Sequence, residues 1–373
     1  MKKSFMFFAI ACLMLLFAMP VLAREPLADF LVKKGIATDE EIAAWEAESK
    51  PSSMRSRSQE LMLGGYVQAL YTQKDDAVDF DETFSIKSTY MWLKGYVAPD
   101  WCIFISWYIH DPKMFDAQIT YEYNPMLRIS AGMFLLPYST DLLTSPSLVD
   151  TIYYDLASLR IADHRDIGVM AEGAMMEGKV GYGLAFVNGN GINNNGDNND
   201  KKDIVARIWA KPFLGSEGSP LAGLMVAAAT QFGEQPMTGQ VVDPATGAIT
   251  QVDLGDESRT RWIGSAQWKF NQIKVQGEYM YQDLEDSDVT SDGYYVVATY
   301  DVPIQRMILQ PVVKYETFDP NDDIDDDETN ITTLGANVFF ANKKARIALN
   351  YRMIDEEPEV DNNEFLAMMQ LLF

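Results

Sequence analysis

From Leu61 to the last residue the chain has no apolar run approaching the roughly 20 residues of a membrane-crossing helix. It instead produces, again and again, stretches of about ten residues in which apolar and polar side chains alternate. The run Ala117-Gln118-Ile119-Thr120-Tyr121-Glu122-Tyr123 is the cleanest. Arg261 to Phe270 alternates the same way, and Ile273 to Tyr281 sets Lys274, Gln276 and Glu278 against Val275, Tyr279 and Tyr281. Successive side chains of a strand point to opposite faces, so each such strand is wet on one side and greasy on the other. Sixteen fit, near residues 61–72, 84–97, 101–109, 116–123, 126–136, 166–174, 179–187, 204–213, 221–232, 260–270, 273–283, 294–302, 304–317, 330–340, 343–355 and 363–373. The 313 residues from Leu61 to Phe373 then allot about 20 to each strand and connection, which matches a tilted spanning strand of roughly ten residues and a loop.

The connections alternate too. Ala98-Pro99-Asp100, Asn124-Pro125, Glu177-Gly178, Asn271-Gln272, Val302-Pro303 and Ala341-Asn342 are tight turns, and long polar loops lie between them. A soluble sandwich has no reason to sort loop lengths by end. The predicted fold is all-β: a sixteen-stranded antiparallel transmembrane β-barrel, short turns toward the periplasm, preceded by a short helical segment. Phe365, Ala367, Met369, Leu371 and Phe373 form one apolar face of the last strand, and the terminal aromatic resembles an outer-membrane sorting signal. Tyr96, Trp101, Tyr294 and Tyr295 stand at predicted strand ends, where interfacial aromatic girdles are expected.

The N-terminus differs. Lys2 and Lys3, an apolar run from Phe5 to Ala18, Pro20 and Val21-Leu22-Ala23 predict a signal peptide cleaved after Ala23, hence a bacterial outer-membrane destination. Residues 24–50 predict a short helical pair, from Leu27, Phe30 and Leu31 at helical spacing, Gly35 as a C-cap, and Thr38 with Glu41 as a capping box. Its apolar stripe of Ile42, Ala43 and Trp45 is too small for a core of its own, which leaves self-association, docking on a larger body or a solvated spacer. Residues 51–60 are the linker, and 61–373 the barrel.

Charge and chemistry exclude several classes. The chain has 54 acidic against 30 basic side chains and a formal charge of −24, which argues against a nucleic-acid partner. Two cysteines, Cys12 and Cys102, and two histidines, His110 and His164, are too few for a structural zinc site or a disulfide framework. Neither histidine accompanies a nucleophile motif, so no catalytic residue and no cofactor are predicted.

Met133-Phe134-Leu135-Leu136-Pro137-Tyr138-Ser139, Leu143-Thr144-Ser145-Pro146 and Arg165-Asp166-Ile167-Gly168-Val169 follow one another in an order that resembles the phosphate-selective porin O/P family. So do Val187-Asn188-Gly189-Asn190-Gly191, the run from Asp197 to Asp203, and Arg207, within a likeness extending over most of residues 61–373. The resemblance implies a homotrimeric sixteen-stranded channel whose third external loop, about residues 137–165, folds inward and narrows the pore. It also implies arginine- and lysine-rich constrictions, and here this chain departs. The candidate constriction residues are Lys87, Lys94, Arg128, Arg160 and Arg165 against Asp141, Asp150, Asp155 and Asp163. Of the 54 acids, 33 fall in the eight long connections beside only seven bases, while strands and tight turns keep 13 acids and 15 bases. The negative charge therefore belongs to the rim, and the wall is nearly neutral.

Asp322, Asp323, Asp325, Asp326 and Asp327 form a candidate surface site for a divalent cation bridging lipopolysaccharide, although they lack the spacing and turn glycine of a calcium loop. Two functions remain open. One is an outer-membrane porin passing small hydrophilic solutes and ions with weak charge selectivity. The other is a non-conducting barrel serving as adhesin or envelope anchor.

Overall fold

The computed structural model describes residues 60–75, 82–192, 194, 196–216, 218–242, 249–356 and 360–373. The expected signal peptide, helical pair and all but the last residue of the linker lie outside the described residues. The strands are β1 (Leu61–Lys74), β2 (Glu82–Ala98), β3 (Trp101–Tyr108), β4 (Lys113–Asn124), β5 (Leu127–Leu135), β6 (Arg165–Met175), β7 (Val180–Val187), β8 (Asp203–Ala210) and β9 (Met225–Val242). They continue as β10 (Ile249–Phe270), β11 (Ile273–Leu284), β12 (Val289–Tyr300), β13 (Val302–Ile304), β14 (Met307–Asp319), β15 (Thr329–Phe340), β16 (Ala345–Glu356) and β17 (Glu364–Leu372). All pairings are antiparallel, and β1 pairs with β2 on one side and β17 on the other, which closes the sheet on itself. The three-residue β13 only folds back on the start of β14, while β12 pairs with β14 directly, so sixteen strands span. Closure leaves no unpaired edge for lipid to meet. The last residue takes part, exchanging backbone hydrogen bonds of 3.0 and 3.2 Å with Gly65.

The two-residue period sets the faces as expected. Leu61, Leu63 and Val67 of β1 are exposed on the outer surface, whereas Tyr66 and Gln68 are buried on the inner one. On β17, Phe365, Met369 and Leu371 are exposed, as is Phe373 just past its end, the lipid-facing stripe read from the sequence. The girdle expectation divides. Tyr294 is 40 % exposed, and Trp101 packs on Tyr121 across the outer face. Tyr96 and Tyr295 point inward instead, their hydroxyls donating to Glu122 at 3.3 Å and to Glu278 at 3.0 Å.

Three other boundaries differ. The reversal expected at Val302-Pro303 falls at Gln305-Arg306, after Pro303 has paired with Ile308. The expected strand start at Leu221 is part of a chain of turns, including Leu224 N–H to Leu221 O at 2.9 Å, and β9 begins at Met225. The loop expected over 233–259 is mostly hairpin, with β9 and β10 paired as far as Val242 and Ile249. An alternating pattern requires lipid on one face. Where a hairpin rises clear of the bilayer both faces are wet, and the pattern disappears although the strands continue.

A barrel of this width has no apolar core except where something packs inside it. That something is the loop between β5 and β6, which carries two short helices, α1 (Thr140–Leu143) and α2 (Leu156–Ile161). Leu136, Tyr138, Ala157 and Ile161 of the loop bury against Val205, Ala229, Ile263 and Met280 of the wall, and Ile152 against Leu70, Ala348 and Leu366.

Candidate pore constriction

The loop enters the lumen over β7 and β8. Gly183 permits this approach, because a Cβ there would meet the Cβ of Pro137 at 2.7 Å. Arg207 donates to the carbonyl of Tyr138 and, at 2.7 Å, to Thr140 Oγ1. At α1 the carboxylate of Glu278 accepts from Thr140 N–H at 2.8 Å and Asp141 N–H at 2.6 Å, so a wall acid satisfies the orphan donors that start a helix. The chain then crosses to the opposite wall, where Gln68 Nε2 and Gln370 Nε2 donate to the carbonyls of Pro146 and Ser147. On the return, Arg346 donates to the carbonyls of Val149 at 2.7 Å and Asp150 at 2.9 Å, Lys274 pairs with Asp150 at 2.6 Å, and Asn350 accepts from Ile152 N–H. Tyr153 lies between Lys87, 5.6 Å from its ring centre, and Arg352, 5.3 Å away. Finally α2, capped by Asp155, settles where Gly293 lacks a side chain, since a Cβ there would come within 2.6 Å of Ala157.

Strapped to β8–β17 and β1, the loop leaves its opening on the other side. A cavity of about 410 Å³ lies between the loop segment 142–146, with Tyr154 and His164, and the inner faces of β1–β6. A second, of about 330 Å³, lies toward the tight-turn end and shares Leu143, Thr144 and Glu172 with the first. The charged groups lining the larger cavity come in pairs. Arg165 faces Asp116 at 3.0 Å, Lys94 faces Glu122 at 4.0 Å, and Arg128 faces Glu172 at 2.7 Å. Burial and the neighbouring Arg165 lower the pKa of His164 to about 3, so its ring is neutral at physiological pH.

The nine expected constriction residues are thus divided. Lys94, Arg128 and Arg165 line the opening. Lys87 sits on the other side of the loop, against Tyr153. The four acids of the loop hold it in place: Asp150 on Lys274, Asp155 as a helix cap, and Asp141 accepting from Asp155 N–H at 3.0 Å. The fourth, Asp163, lies between Arg259 at 2.8 Å and Arg261 at 3.1 Å; burial favours its neutral form, but the two guanidiniums outweigh it and lower the pKa. Arg160 is exposed at the end of α2. Sequence reasoning missed Asp116, Glu122 and Glu172, the partners that neutralise the opening, and the wall cations that hold the loop. The inward positions of the alternating strands marked all of them as lumen-facing. Which strand met which part of the loop was not readable. In the acidic loop Asp322, Asp323, Asp325 and Asp326 are exposed and Asp327 is half-buried, and among the described residues no group of three or more His, Cys, Asp or Glu side chains is gathered to hold a metal ion by itself.

A closed sixteen-stranded barrel of wet-inside, greasy-outside strands, narrowed by one loop tied across its lumen, is the architecture of an outer-membrane porin channel. The chain matches the family described as phosphate-selective porin O and P over residues 108–373, and it belongs to that family. Its fold is similar to that of the outer-membrane expressed OmpT of Vibrio cholerae, with a TM-score of 0.61 and 13% identity over 86% of this chain and 99% of that one. Salmonella typhi OmpF in complex with daunomycin is similar at a TM-score of 0.56 and 14% identity, covering 85% and 98% of the two chains. The outer membrane channel DcaP of Acinetobacter baumannii gives 0.54 and 11% identity over 85% and 98%. At such identities the likeness is one of fold. An uncharacterized protein of Aquifex aeolicus is 26% identical over 132 residues, and the match spans about a third of each chain.

Proposed function

We propose that this porin is a passive diffusion channel for small hydrophilic solutes and ions, with weak charge selection and no high-affinity phosphate site. The observation that carries this reading is the pairing of every charged side chain at the opening, Arg165 with Asp116, Lys94 with Glu122 and Arg128 with Glu172. A lone charge 4 Å from an ion acts with about 4 kcal/mol at an effective dielectric constant of 20, whereas a close pair leaves only a dipole. Capture of phosphate needs several uncompensated donors, and the arginines on the far wall are engaged with the loop. The active assembly is a homotrimer in the outer membrane, reached by a signal peptide cleaved after Ala23, with the acidic rim bridged to lipopolysaccharide by divalent ions. Planar bilayers containing the purified, folded protein test the channel itself. Stepwise open channels whose chloride current is insensitive to micromolar phosphate are expected. Absence of any channel in several folded preparations would favour a non-conducting adhesin or envelope anchor, and phosphate closure would restore the family's named selectivity.

A further inference from the structure

The opening is lined by aromatic rings as well as by charges, and weak ion selection gives no account of them. Tyr66, Tyr90 and Tyr108 occupy one register line across β1, β2 and β3, with Tyr66 opposite Tyr90 and Tyr90 opposite Tyr108. A register shift in the pairing of β3 with β4, between Ser106 and Trp107 of β3, leaves Phe115 of β4 without a partner there, and its ring lies beside theirs. The rings touch in sequence, with centroid separations of 5.3 Å for Tyr66–Tyr90, 5.7 Å for Tyr90–Tyr108 and 4.2 Å for Tyr108–Phe115. Tyr154 of the loop lines the same cavity. Lumens built only for water and ions are polar, and the half-buried rings of Tyr90, Tyr108 and Phe115, backed by the buried Tyr66, work against wetting of this lining.

We propose that this belt is a stacking subsite for a neutral, polyhydroxylated ring, that is, a mono- or disaccharide; the inference rests on the diffusion-channel reading and deepens it. Such a solute has C–H faces that lie on aromatic rings and a rim of hydroxyls that both donate and accept. The opening offers that combination: the half-buried rings of Tyr90, Tyr108 and Phe115 on one wall, tilted or edge-on to one another, and in the same lining the half-buried Lys94 and the exposed Arg128 as donors with Glu172 as an acceptor. An anion meets the three carboxylates and a cation the three bases, so neither gains what a neutral solute gains. A purely aromatic solute would cover charged groups without hydrogen-bonding them. The volume, about 410 Å³, lies in the range of roughly 300–1,000 Å³ typical of small-molecule sites.

The test is the ion current of single channels titrated with glucose, with maltose and with mannitol, an open-chain polyol that has hydroxyls but no ring face. Glucose or maltose is expected to reduce the current saturably, while mannitol reduces it only in proportion to viscosity. Tyr90→Ala is expected to raise the half-saturating sugar concentration by roughly three- to tenfold, the loss of one stacked face, and Tyr90→Phe, which keeps the ring, to retain it. Tyr108→Ala provides the same reading should Tyr90→Ala not assemble. An open wild-type channel in which sugar and mannitol act alike, or in which Tyr90→Ala changes nothing, overturns the subsite and leaves the diffusion channel standing. A wild type with no open channel overturns both.

Discussion

Arg346, only 1% exposed, directs its guanidinium to Val149 O, Asp150 O and, at 2.8 Å, Asn337 Oδ1, so one side chain ties two successive carbonyls of the constricting loop to the wall. A lysine has the charge without the planar fork. Arg346→Lys should therefore loosen this tie, at about 1.5–3 kcal/mol for each charged hydrogen bond lost, and single-channel recordings should show added open-state noise. Asp155 caps α2 by accepting from Ser158 N–H at 2.8 Å, yet its other oxygen is buried without a partner. Burial and then the nearby Asp141 raise its pKa well above 3.8. A raised carboxylate pKa contributes stability that is fully present below about pH 3.8 and lost as the pH rises. Asparagine caps as well as aspartate and carries no charge. Asp155→Asn should thus match or exceed the wild-type unfolding midpoint in gel-shift assays at pH 7, with the gain vanishing below pH 4; a lower midpoint at pH 7 would contradict this. His164, with a pKa near 3, should add no inflection to conductance between pH 8 and pH 5. An inflection in that range that His164→Gln removes would show the ring is wetter than its position implies. The loop acids were visible in the sequence as charges but not as struts. Burial and partners 14 to 160 residues away decide that role, as Asp155 N–H to Asp141 and Leu156 N–H to Glu316 illustrate.

At the scale of elements, the strands were legible because lipid on one side and water on the other write a period of two into the chain. That signal faded where the physical cause stopped, in the rising hairpin of β9 and β10 and at Leu221, whose apolar neighbours form turns instead of strand. The inward path of the third loop came only from family resemblance, since nothing in residues 137–165 alone announces that Thr140 and Asp141 will place their N–H groups on Glu278. This contact makes a prediction. Glu278→Leu takes the acceptor from the buried N–H groups of Thr140 and Asp141 and from the hydroxyls of Ser139 and Tyr295, a cost of about 1–3 kcal/mol for each donor left unpaired. The loop should detach at α1 and single-channel conductance should rise, while the barrel should still migrate as a folded species in gel-shift assays. Unchanged conductance would assign the constriction to the Arg346 end of the loop.

For the whole molecule, the formal charge of −24 is a poor guide to what passes through it. Most of the acids ride on the external connections, where physiological salt screens them beyond about 8 Å. At the opening cations and acids meet in pairs, and along the strapped wall Arg259, Arg261 and Lys274 pair with loop acids while Arg207 and Arg346 are taken up by loop carbonyls. A porin whose opening carries its charged side chains in pairs should therefore conduct anions and cations on similar terms. The direct measurement is the reversal potential of a bilayer carrying many channels in a tenfold gradient of potassium chloride. A permeability ratio within about tenfold of unity is expected, equivalent to roughly 1.4 kcal/mol between the two signs. A ratio well beyond tenfold contradicts it: anion preference would point to Lys94, Arg128 and Arg165, and cation preference to Asp116, Glu122 and Glu172.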